Sequence, residues 1–345
     1  MEESFQENSS TPYDYFNESY DDDLCHKTEV IQFGTVVTPV FFVLVTMFSC
    51  VGNALVLGVL IKYENLKSLT NAFLLNLAIS DMIFTFGLPF WATDLILGWT
   101  FGEAVCKSVS FVFYLGYYSS LIFLTVMTVY RYIAVVHPLS MLLNSTTYYS
   151  IAISAFIWFL SLCAATPNFI FSTVLKHDDP EVSRAYCDYG NITWKQIIIY
   201  LQNIFFLIAF FTIAFCYFRI LGRLLRPTSH TRPKTVKLIL CIVLAFYLGW
   251  APYNVAMFLN SLISWGISPF NDCYVSTRVD YVYHVSRLVA FSHCCLNPVF
   301  YVFMGIKFRD HLKKLLRNLC KKDDQPLDRR QSHLIYSNGE EISMY

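Results

Sequence analysis

The sequence predicts an all-α membrane protein, a seven-transmembrane helix bundle with a short amphipathic C-terminal helix. Three observations support this prediction. The 345 residues are 55% hydrophobic and only 14% charged, whereas a soluble domain carries about 25% charged residues. Apolar stretches long enough to cross the roughly 30 Å hydrocarbon core of a bilayer recur along the chain. Lysine and arginine are concentrated on one side of the resulting topology.

The third apolar stretch is the clearest membrane-spanning element. No charged residue occurs between Lys107 and Arg131. The ~25 helical steps from Cys106 to Arg131 span roughly 38 Å at ~1.5 Å per residue. A buried helix of a large soluble protein could have the same composition, and the recurrence of such stretches decides in favour of the membrane. The predicted spans are 33–61, 69–97, 104–135, 147–170, 194–225, 234–264 and 278–304.

The spans divide the chain into regions and set its orientation. An acidic extracellular tail is predicted at 1–32, the bundle at 33–305, an amphipathic membrane-surface helix at 306–319 and a disordered cytoplasmic tail at 320–345. Of the 25 lysine and arginine residues, seven fall on the side of the N-terminus and the remaining eighteen on the other side. This asymmetry predicts an extracellular N-terminus and a cytosolic C-terminus. No cleavable signal peptide is evident, so the first span is expected to direct insertion.

Cysteines and glycosylation sequons fit the same orientation. Four cysteines fall on the outer side, where disulfides form, and they allow three pairings. They are Cys25, Cys106, Cys187 and Cys273. Six cysteines within the spans are explained by packing of a small apolar side chain. Outer-side sequons predict glycosylation at Asn8, Asn17 and Asn191.

Short motifs occur in a fixed order along the spans. They are Gly52-Asn53, Leu77-Ala78-Ile79-Ser80-Asp81, Cys106, Arg131-Tyr132, Trp158, Tyr217, Phe246, Trp250 with Pro252, and Asn297-Pro298-Val299-Phe300-Tyr301. In order and spacing they resemble the rhodopsin-like G-protein-coupled receptors. Leu88-Pro89-Phe90-Trp91 and Ser292-His293-Cys294-Cys295 resemble the chemokine receptors in particular. Within that family the sequence looks most like the receptors of the XC class.

The resemblance implies a receptor for an extracellular chemokine of the XC class. It implies signalling through a Gi-class heterotrimeric G protein to calcium release and chemotaxis, with arrestin as a further partner. It pairs Cys106 with Cys187 and Cys25 with Cys273. The implied coupling and switch residues are Arg131, Tyr217, Trp250, Pro252, Asn297, Pro298 and Tyr301. The implied ligand cavity is lined by Trp91, Phe113, Tyr114, Tyr117, Tyr253, Asp280, Tyr283 and Arg287, although core packing or lipid contact would also explain any single aromatic residue.

The N-terminal tail is the expected first contact for the ligand. Residues 1–29 hold nine acidic residues and one lysine, and a polyanionic segment attracts a basic partner and raises its association rate. Tyrosines among these acids resemble sulfation sites. The candidates in this segment are Tyr13, Tyr15, Tyr20, Asp21 and Asp22. A merely solvated acidic tail is the alternative.

Two charged positions within the spans need separate interpretation. Asp81 is a carboxylate at membrane depth, where a charge is costly and usually functional. The resemblance places it in a sodium pocket with Ser120, His293 and Asn297; a protonated, hydrogen-bonded aspartic acid is the alternative. Arg287 stands where most chemokine receptors carry a glutamate. It is expected to bind an acidic group of the ligand's N-terminal segment, or to pair internally with Asp94 or Asp280.

Arg131 also stands in a setting that departs from the family, because it follows Tyr130 where the family has an acid. Tyrosine offers a hydrogen bond but no counter-charge at neutral pH. We therefore expect a resting state that is less firmly held by ion pairing. An atypical receptor that scavenges its ligand without coupling to a G protein is an alternative, as is a receptor for another peptide ligand.

Other classes of protein lack support in the sequence. There is no glycine-rich phosphate loop and no His-Glu-x-x-His zinc motif, so no enzyme and no nucleic-acid partner is expected. The seventh span has no lysine that could carry retinal, and only a transporter remains as a distant alternative. Bases alternate with apolar residues at 307–316, which predicts a helix lying on the lipid of the inner leaflet. Cys320 is either palmitoylated there or a free thiol, and the serines beyond it are arrestin-recruiting phosphorylation candidates.

Overall fold

The computed structural model describes residues 28–137, 147–176, 184–224, 234–270, 272–304 and 306–323. Within these ranges it contains nine α-helices and one two-stranded sheet. In chain order the elements are α1 Thr28–Tyr63, α2 Leu69–Leu97, α3 Glu103–Val136, α4 Thr147–Phe171, β1 Ser172–Lys176, β2 Ala185–Tyr189, α5 Ile192–Leu224, α6 Lys234–Ser264, α7 Cys273–Phe291, α8 His293–Met304 and α9 Ile306–Asp323.

The predicted fold class is confirmed. The first six α-helices are each long and apolar enough to cross a bilayer. Helix α3 lies centrally and packs against α2, α4, α5 and α6. Large apolar side chains remain exposed on the outer faces, among them Phe48, Phe218, Leu248 and Phe303, which expose 68%, 76%, 73% and 77% of their surface. A soluble protein rarely leaves such faces bare, whereas in a bilayer they contact lipid.

The seventh span, predicted at 278–304 with an interruption at Pro298, consists of two helices, and the first of them begins earlier, at Cys273. Helix α7 ends at Phe291 and α8 begins at His293. Pro298 has no N–H, so the carbonyl of Cys294 loses its helical partner. That carbonyl instead accepts hydrogen bonds from Asn53 Nδ2 at 2.8 Å and from Ser49 Oγ at 3.3 Å. Helix α1 thus supplies the hydrogen bonds that let the seventh span bend within the bilayer.

A close approach of α2 and α3 depends on one glycine. A Cβ at Gly116 would lie 2.5 Å from the backbone nitrogen of Phe84, so any larger residue must push α2 away. The approach brings the ring of Phe84 to 4.3 Å from that of Phe113 and 6.0 Å from that of Trp250, measured between centroids. The Phe84 ring thereby connects Phe113, toward the outer side of the core, with Trp250 in the middle of the core.

The sheet on the outer side was not predicted. Strands β1 and β2 pair antiparallel, with Val174 opposite Cys187. A disulfide joins Cys187 to Cys106 at the start of α3, with 5.7 Å between the Cα atoms. Five-residue strands between two long apolar spans give little periodic signal, so the sequence does not reveal this sheet. The disulfide holds the hairpin over the helix ends.

Helix ends also differ from the predicted boundaries. Helix α1 begins at Thr28, inside the segment assigned to the tail, and α9 runs to Asp323, beyond the predicted end at 319. Helix α2 ends where Arg184 Nη2 donates to the carbonyls of Asp94 and Leu95, at 3.1 and 2.5 Å. A guanidinium at a helix C-terminus satisfies carbonyls that lack a helical partner.

Candidate functional site

A cavity of about 570 Å³ lies between the helix ends beneath the hairpin. Seven of the eight residues predicted to line a ligand cavity do line it: Trp91, Phe113, Tyr114, Tyr253, Asp280, Tyr283 and Arg287. The eighth, Tyr117, does not. It is fully buried one turn deeper than Phe113, with its ring 4.3 Å from that of Trp250. The position shares the cavity-facing stripe of α3, but at that depth α6 closes on the helix.

The hairpin and α5 add polar lining that sequence reasoning missed. Lys195 Nζ lies 2.6 Å from Asp188 Oδ2, and this ion pair forms part of the wall. The hydroxyl of Tyr189 donates to Asn168 Oδ1 at 2.6 Å. Burial raises the pKa of the Tyr189 phenol, so it remains a neutral donor. Only the strand register, which the sequence did not reveal, brings Asp188 and Tyr189 over the cavity.

Several polar atoms in the cavity wall lack an internal partner. Trp91 Nε1, Asp94 Oδ1 and Arg287 Nε are buried and make no hydrogen bond within the described part of the chain. An unsatisfied buried donor or acceptor costs about 1–3 kcal/mol. Gln196 Oε1 in the same wall is likewise buried and makes no hydrogen bond among the described residues, so the cavity presents two donors and two acceptors to whatever occupies it.

Arg287 makes only weak contacts with its surroundings. Its Nη2 atom lies 3.3 Å from His284 Nδ1 and 3.5 Å from Thr38 Oγ1. Its guanidinium carbon lies 5.4 Å from the ring centroid of Tyr283 and 5.7 Å from that of Phe42. Of the described carboxylates, none lies within ion-pair distance, so the internal pairing with Asp94 or Asp280 is not formed.

An aromatic column leads from the cavity into the bundle. Phe291 lines the cavity, and its ring lies 5.8 Å from that of Trp250. The indole in turn lies 5.4 Å from the imidazole of His293. Trp250 sits two residues before Pro252 in α6, where the missing backbone donor weakens the helix. The column therefore connects the cavity wall to the part of α6 next to Pro252.

Asp81 forms a buried polar centre below this column. Its Oδ2 atom accepts from Asn297 Nδ2 at 2.6 Å and its Oδ1 atom accepts from Ser120 Oγ at 3.2 Å. His293 Nε2 lies 3.8 Å from Oδ1 and makes no hydrogen bond within the described ranges. The four residues predicted for a sodium pocket thus come together. Carboxylate and hydroxyl oxygens are the ligand type that hard cations prefer, so the donor set fits a sodium ion.

At the cytoplasmic end, Arg131 has no acidic partner among the residues that the structure describes. Its Nη2 atom donates to Thr70 Oγ1 at 2.6 Å, and its guanidinium carbon lies 5.9 Å from the ring centroid of Tyr130. The hydroxyls of Tyr217 and Tyr301 are buried without a hydrogen-bond partner in the described ranges. These three side chains have unused hydrogen-bonding capacity, which a rearrangement of the helix ends could satisfy.

Some predicted residues cannot be related to the cavity. Tyr13, Tyr15, Tyr20, Asp21, Asp22, Cys25, Asn8 and Asn17 lie outside the described residues. Cys273 is disulfide-bonded, and its partner also lies outside the described residues. Asn191 is exposed before α5, where its Oδ1 accepts from the backbone N–H of Thr193 at 2.8 Å. The Cys106–Cys187 disulfide is formed as the resemblance implied.

Known proteins resemble the chain over most of its length. Residues 52–301 match the family described as 7 transmembrane receptor (rhodopsin family). Human chemokine XC receptor 1 is 43% identical over 285 residues, which cover 83% of each chain. The mouse chemokine XC receptor 1 is 40% identical over 318 residues, covering 92% of this chain and 94% of the relative. Human C-C chemokine receptor type 8 is 36% identical over 314 residues, covering 91% and 88%.

These matches confirm the resemblance drawn from the motifs. The family consists of receptors rather than enzymes, and its match spans the bundle from α1 to α8. Together with the apolar helices, the matches identify a multi-pass protein of the plasma membrane. The chain belongs to the rhodopsin family of seven-transmembrane receptors, and within that family to the chemokine receptors.

Proposed function

We propose that the protein is a receptor for an XC-class chemokine and signals through a Gi-class heterotrimeric G protein to calcium release and chemotaxis. Two relatives named chemokine XC receptor 1, at 43% and 40% identity, support the ligand class. The observation that carries the signalling proposal is the continuous column of contacts below the cavity. It runs from Phe291 through Trp250 to His293 and the Asp81 centre.

Ligand binding is proposed to occur in two steps. The acidic tail attracts the basic ligand first, because long-range attraction raises the rate of encounter. The ligand's N-terminal segment then enters the cavity, where Arg287 binds a carboxylate and Asp94 binds an amine. This assignment is supported by the unpartnered Arg287 Nε and Asp94 Oδ1 atoms. A charge-assisted hydrogen bond at these atoms would break no internal hydrogen bond, and such bonds are stronger than neutral ones.

Activation is proposed to follow from unequal affinity for two conformations. The ligand favours the conformation in which the cytoplasmic ends of α3, α5 and α6 admit the G protein. Arg131, Tyr217 and Tyr301 bring unsatisfied polar atoms to that rearrangement. Because Arg131 is held by a hydroxyl rather than a carboxylate, the resting conformation is proposed to be weakly held. Arrestin is the proposed second partner, through serines in the segment beyond Asp323.

A sodium ion is proposed as a modulator at the Asp81 centre. Asp81 and Ser120 would hold it, with Asn297 and His293 beside them. The buried carboxylate has neutral hydrogen-bond donors in Ser120 and Asn297 but no full counter-charge from them, and a cation would supply that charge. Its expected effect is to favour the resting conformation.

Nucleotide exchange tests the proposed coupling directly. Full-length receptor in nanodiscs is mixed with purified Gi heterotrimer, and GTPγS uptake is followed with and without an XC-class chemokine. We expect the ligand to accelerate uptake, and we expect Arg131→Ala to abolish the acceleration while ligand binding persists. Binding without acceleration by any heterotrimer would contradict the proposal and favour the scavenging alternative.

A further inference from the structure

Two buried amide side chains form a hydrogen bond between α5 and α6, beneath the ligand cavity. Gln202 of α5 exposes 1% of its surface and Asn254 of α6 exposes 2%. Gln202 Nε2 donates to Asn254 Oδ1 at 3.2 Å. Ile199 and Met257 line the cavity and precede the two amides on their helices when counted from the outer side. The amide pair therefore lies about one helical turn below the cavity wall.

Aromatic contacts enclose this pair on both sides. Toward the outer side, the rings of Tyr200 and Phe258 approach to 6.3 Å between centroids. Toward the cytoplasm, the rings of Phe206 and Tyr247 approach to 5.0 Å. A hydrogen bond in such a setting is stronger than in water, and an amide that loses its partner there is not compensated by solvent. The bond between the amides therefore favours the present spacing of α5 and α6.

Asn254 also makes a hydrogen bond across the proline of α6. Its Nδ2 atom donates to the carbonyl of Trp250 at 2.9 Å, and Pro252 lies between the two residues. The missing backbone donor of the proline weakens the helix at this point. Asn254 thus connects the two parts of α6 on either side of Pro252, and Gln202 connects them to α5.

The amide of Gln202 is incompletely satisfied. Its Oε1 atom is buried and makes no hydrogen bond with any residue that the structure describes. Its Nε2 atom has a second contact, at 3.6 Å, with the sulfur of Met257, and a thioether is a weak acceptor. Met257 is also a flexible side chain in the cavity wall, so an occupant of the cavity can displace it and change the surroundings of Gln202.

We propose that the Gln202–Asn254 hydrogen bond stabilises the resting conformation by holding α5 against α6, and that the ligand favours the conformation in which this bond is broken. The role rests on the proposed signalling function and assigns to it two residues that do not line the cavity. A donor–acceptor distance of about 3.6 Å is no longer a hydrogen bond, so a shift of a few tenths of an ångström between the helices breaks the pair. Loss of one neutral hydrogen bond changes the equilibrium between the conformations roughly 2- to 12-fold.

Basal signalling and agonist affinity together test this role. Full-length receptor in nanodiscs is assayed for ligand-independent GTPγS uptake by Gi heterotrimer, and the Kd of an XC-class chemokine is measured without G protein. Gln202→Leu is expected to raise basal uptake roughly 2- to 12-fold and to lower the Kd by up to the same factor, because more of the receptor already has the conformation that the ligand favours. A packing defect alone would weaken both signalling and binding.

A double-mutant cycle identifies the pair as the cause. Asn254→Leu removes the same hydrogen bond together with the one to Trp250, so Gln202→Leu is expected to have no further effect in that background. The matched control is Asn203→Leu, since Asn203 Nδ2 donates to the carbonyl of Ile199 in its own helix at 2.9 Å. This control is expected to change basal uptake and Kd by about twofold or less.

Three results would overturn the role of the pair. They are unchanged basal uptake and Kd in Gln202→Leu, effects of the two single variants that multiply in the double variant, and an equal effect of Asn203→Leu. Failure of the coupling proposal is recognised separately, because the Kd is measured without G protein. A parent receptor that binds the chemokine but activates no heterotrimer refutes the coupling, and the Kd of Gln202→Leu still decides whether the hydrogen bond opposes ligand binding.

Discussion

Reversing the charge of Arg287 is the sharpest test of how the ligand is recognised. The variant Arg287→Glu places an acid where the cavity now offers an unpartnered guanidinium nitrogen. A hydrogen bond between charged groups contributes about 1.5–3 kcal/mol, which corresponds to roughly 10- to 150-fold in Kd. Loss at least as large is expected for a ligand that carries an acidic N-terminal segment, because the new glutamate also repels it.

The internal contacts of Arg287 determine how much of the affinity loss in Arg287→Glu is independent of the ligand. Its hydrogen bonds at 3.3 and 3.5 Å are long. Each of its two contacts with an aromatic ring is of a type that contributes about 0.5–1 kcal/mol at exposed sites. These losses affect every ligand alike. A double-mutant cycle removes them, because only the energy shared between receptor charge and ligand charge remains.

The assay is competition binding on membranes with ligands in which single acidic residues of the N-terminal segment are changed to lysine. One of these altered ligands is expected to bind the Arg287→Glu receptor better than it binds the parent receptor. Lys195→Gln is the matched control, because that lining cation already pairs with Asp188 at 2.6 Å and should show weaker coupling. If each altered ligand loses the same affinity, relative to the unaltered ligand, on the parent receptor and on Arg287→Glu, then Arg287 has no direct role in recognition.

Three further predictions concern packing, basal activity and ion binding. Gly116→Ala is expected to cost about 1–3 kcal/mol of stability by overpacking and to lower the Tm, whereas Gly222→Ala, where a Cβ meets nothing within 4 Å, should not; equal Tm values would contradict the close helix approach. Tyr130→Asp should lower ligand-independent GTPγS uptake, since the acid can pair with Arg131, and unchanged or raised uptake would refute this. Asp81→Asn should abolish any difference in agonist affinity between sodium and N-methylglucamine buffers; a difference that survives the substitution would rule out Asp81 as the sodium ligand.

The sequence is sufficient to predict the spans and part of the cavity wall, since seven of the eight residues predicted for that wall line it. Uninterrupted apolar stretches identify membrane helices reliably because the bilayer excludes charge. Trp91, Phe113 and Tyr283 could be assigned to the cavity because they fall near the outer ends of spans that the family resemblance orders around it. Tyr117 could not be excluded, because helical spacing gives the face of a residue but not the depth at which a neighbouring helix closes.

Other features depend on contacts between distant parts of the chain. Pro298 frees the Cys294 carbonyl, but the compensating donors come from α1, more than 200 residues earlier. Asp188 reaches the cavity only through the register of β1 and β2. Neither of these long-range arrangements leaves a local pattern in the sequence.

The hydrogen bonds from Asn53 and Ser49 to the Cys294 carbonyl give the first helix a part in any switching motion. If α8 moves, α1 must move with it, or the Cys294 carbonyl is left in the bilayer without a hydrogen-bond donor. Gly52, whose missing side chain leaves room for the Pro298 ring, marks the pivot. Helix α1 would then restrain the motion of the seventh span, and the strength of these hydrogen bonds would help to set the activity of the receptor.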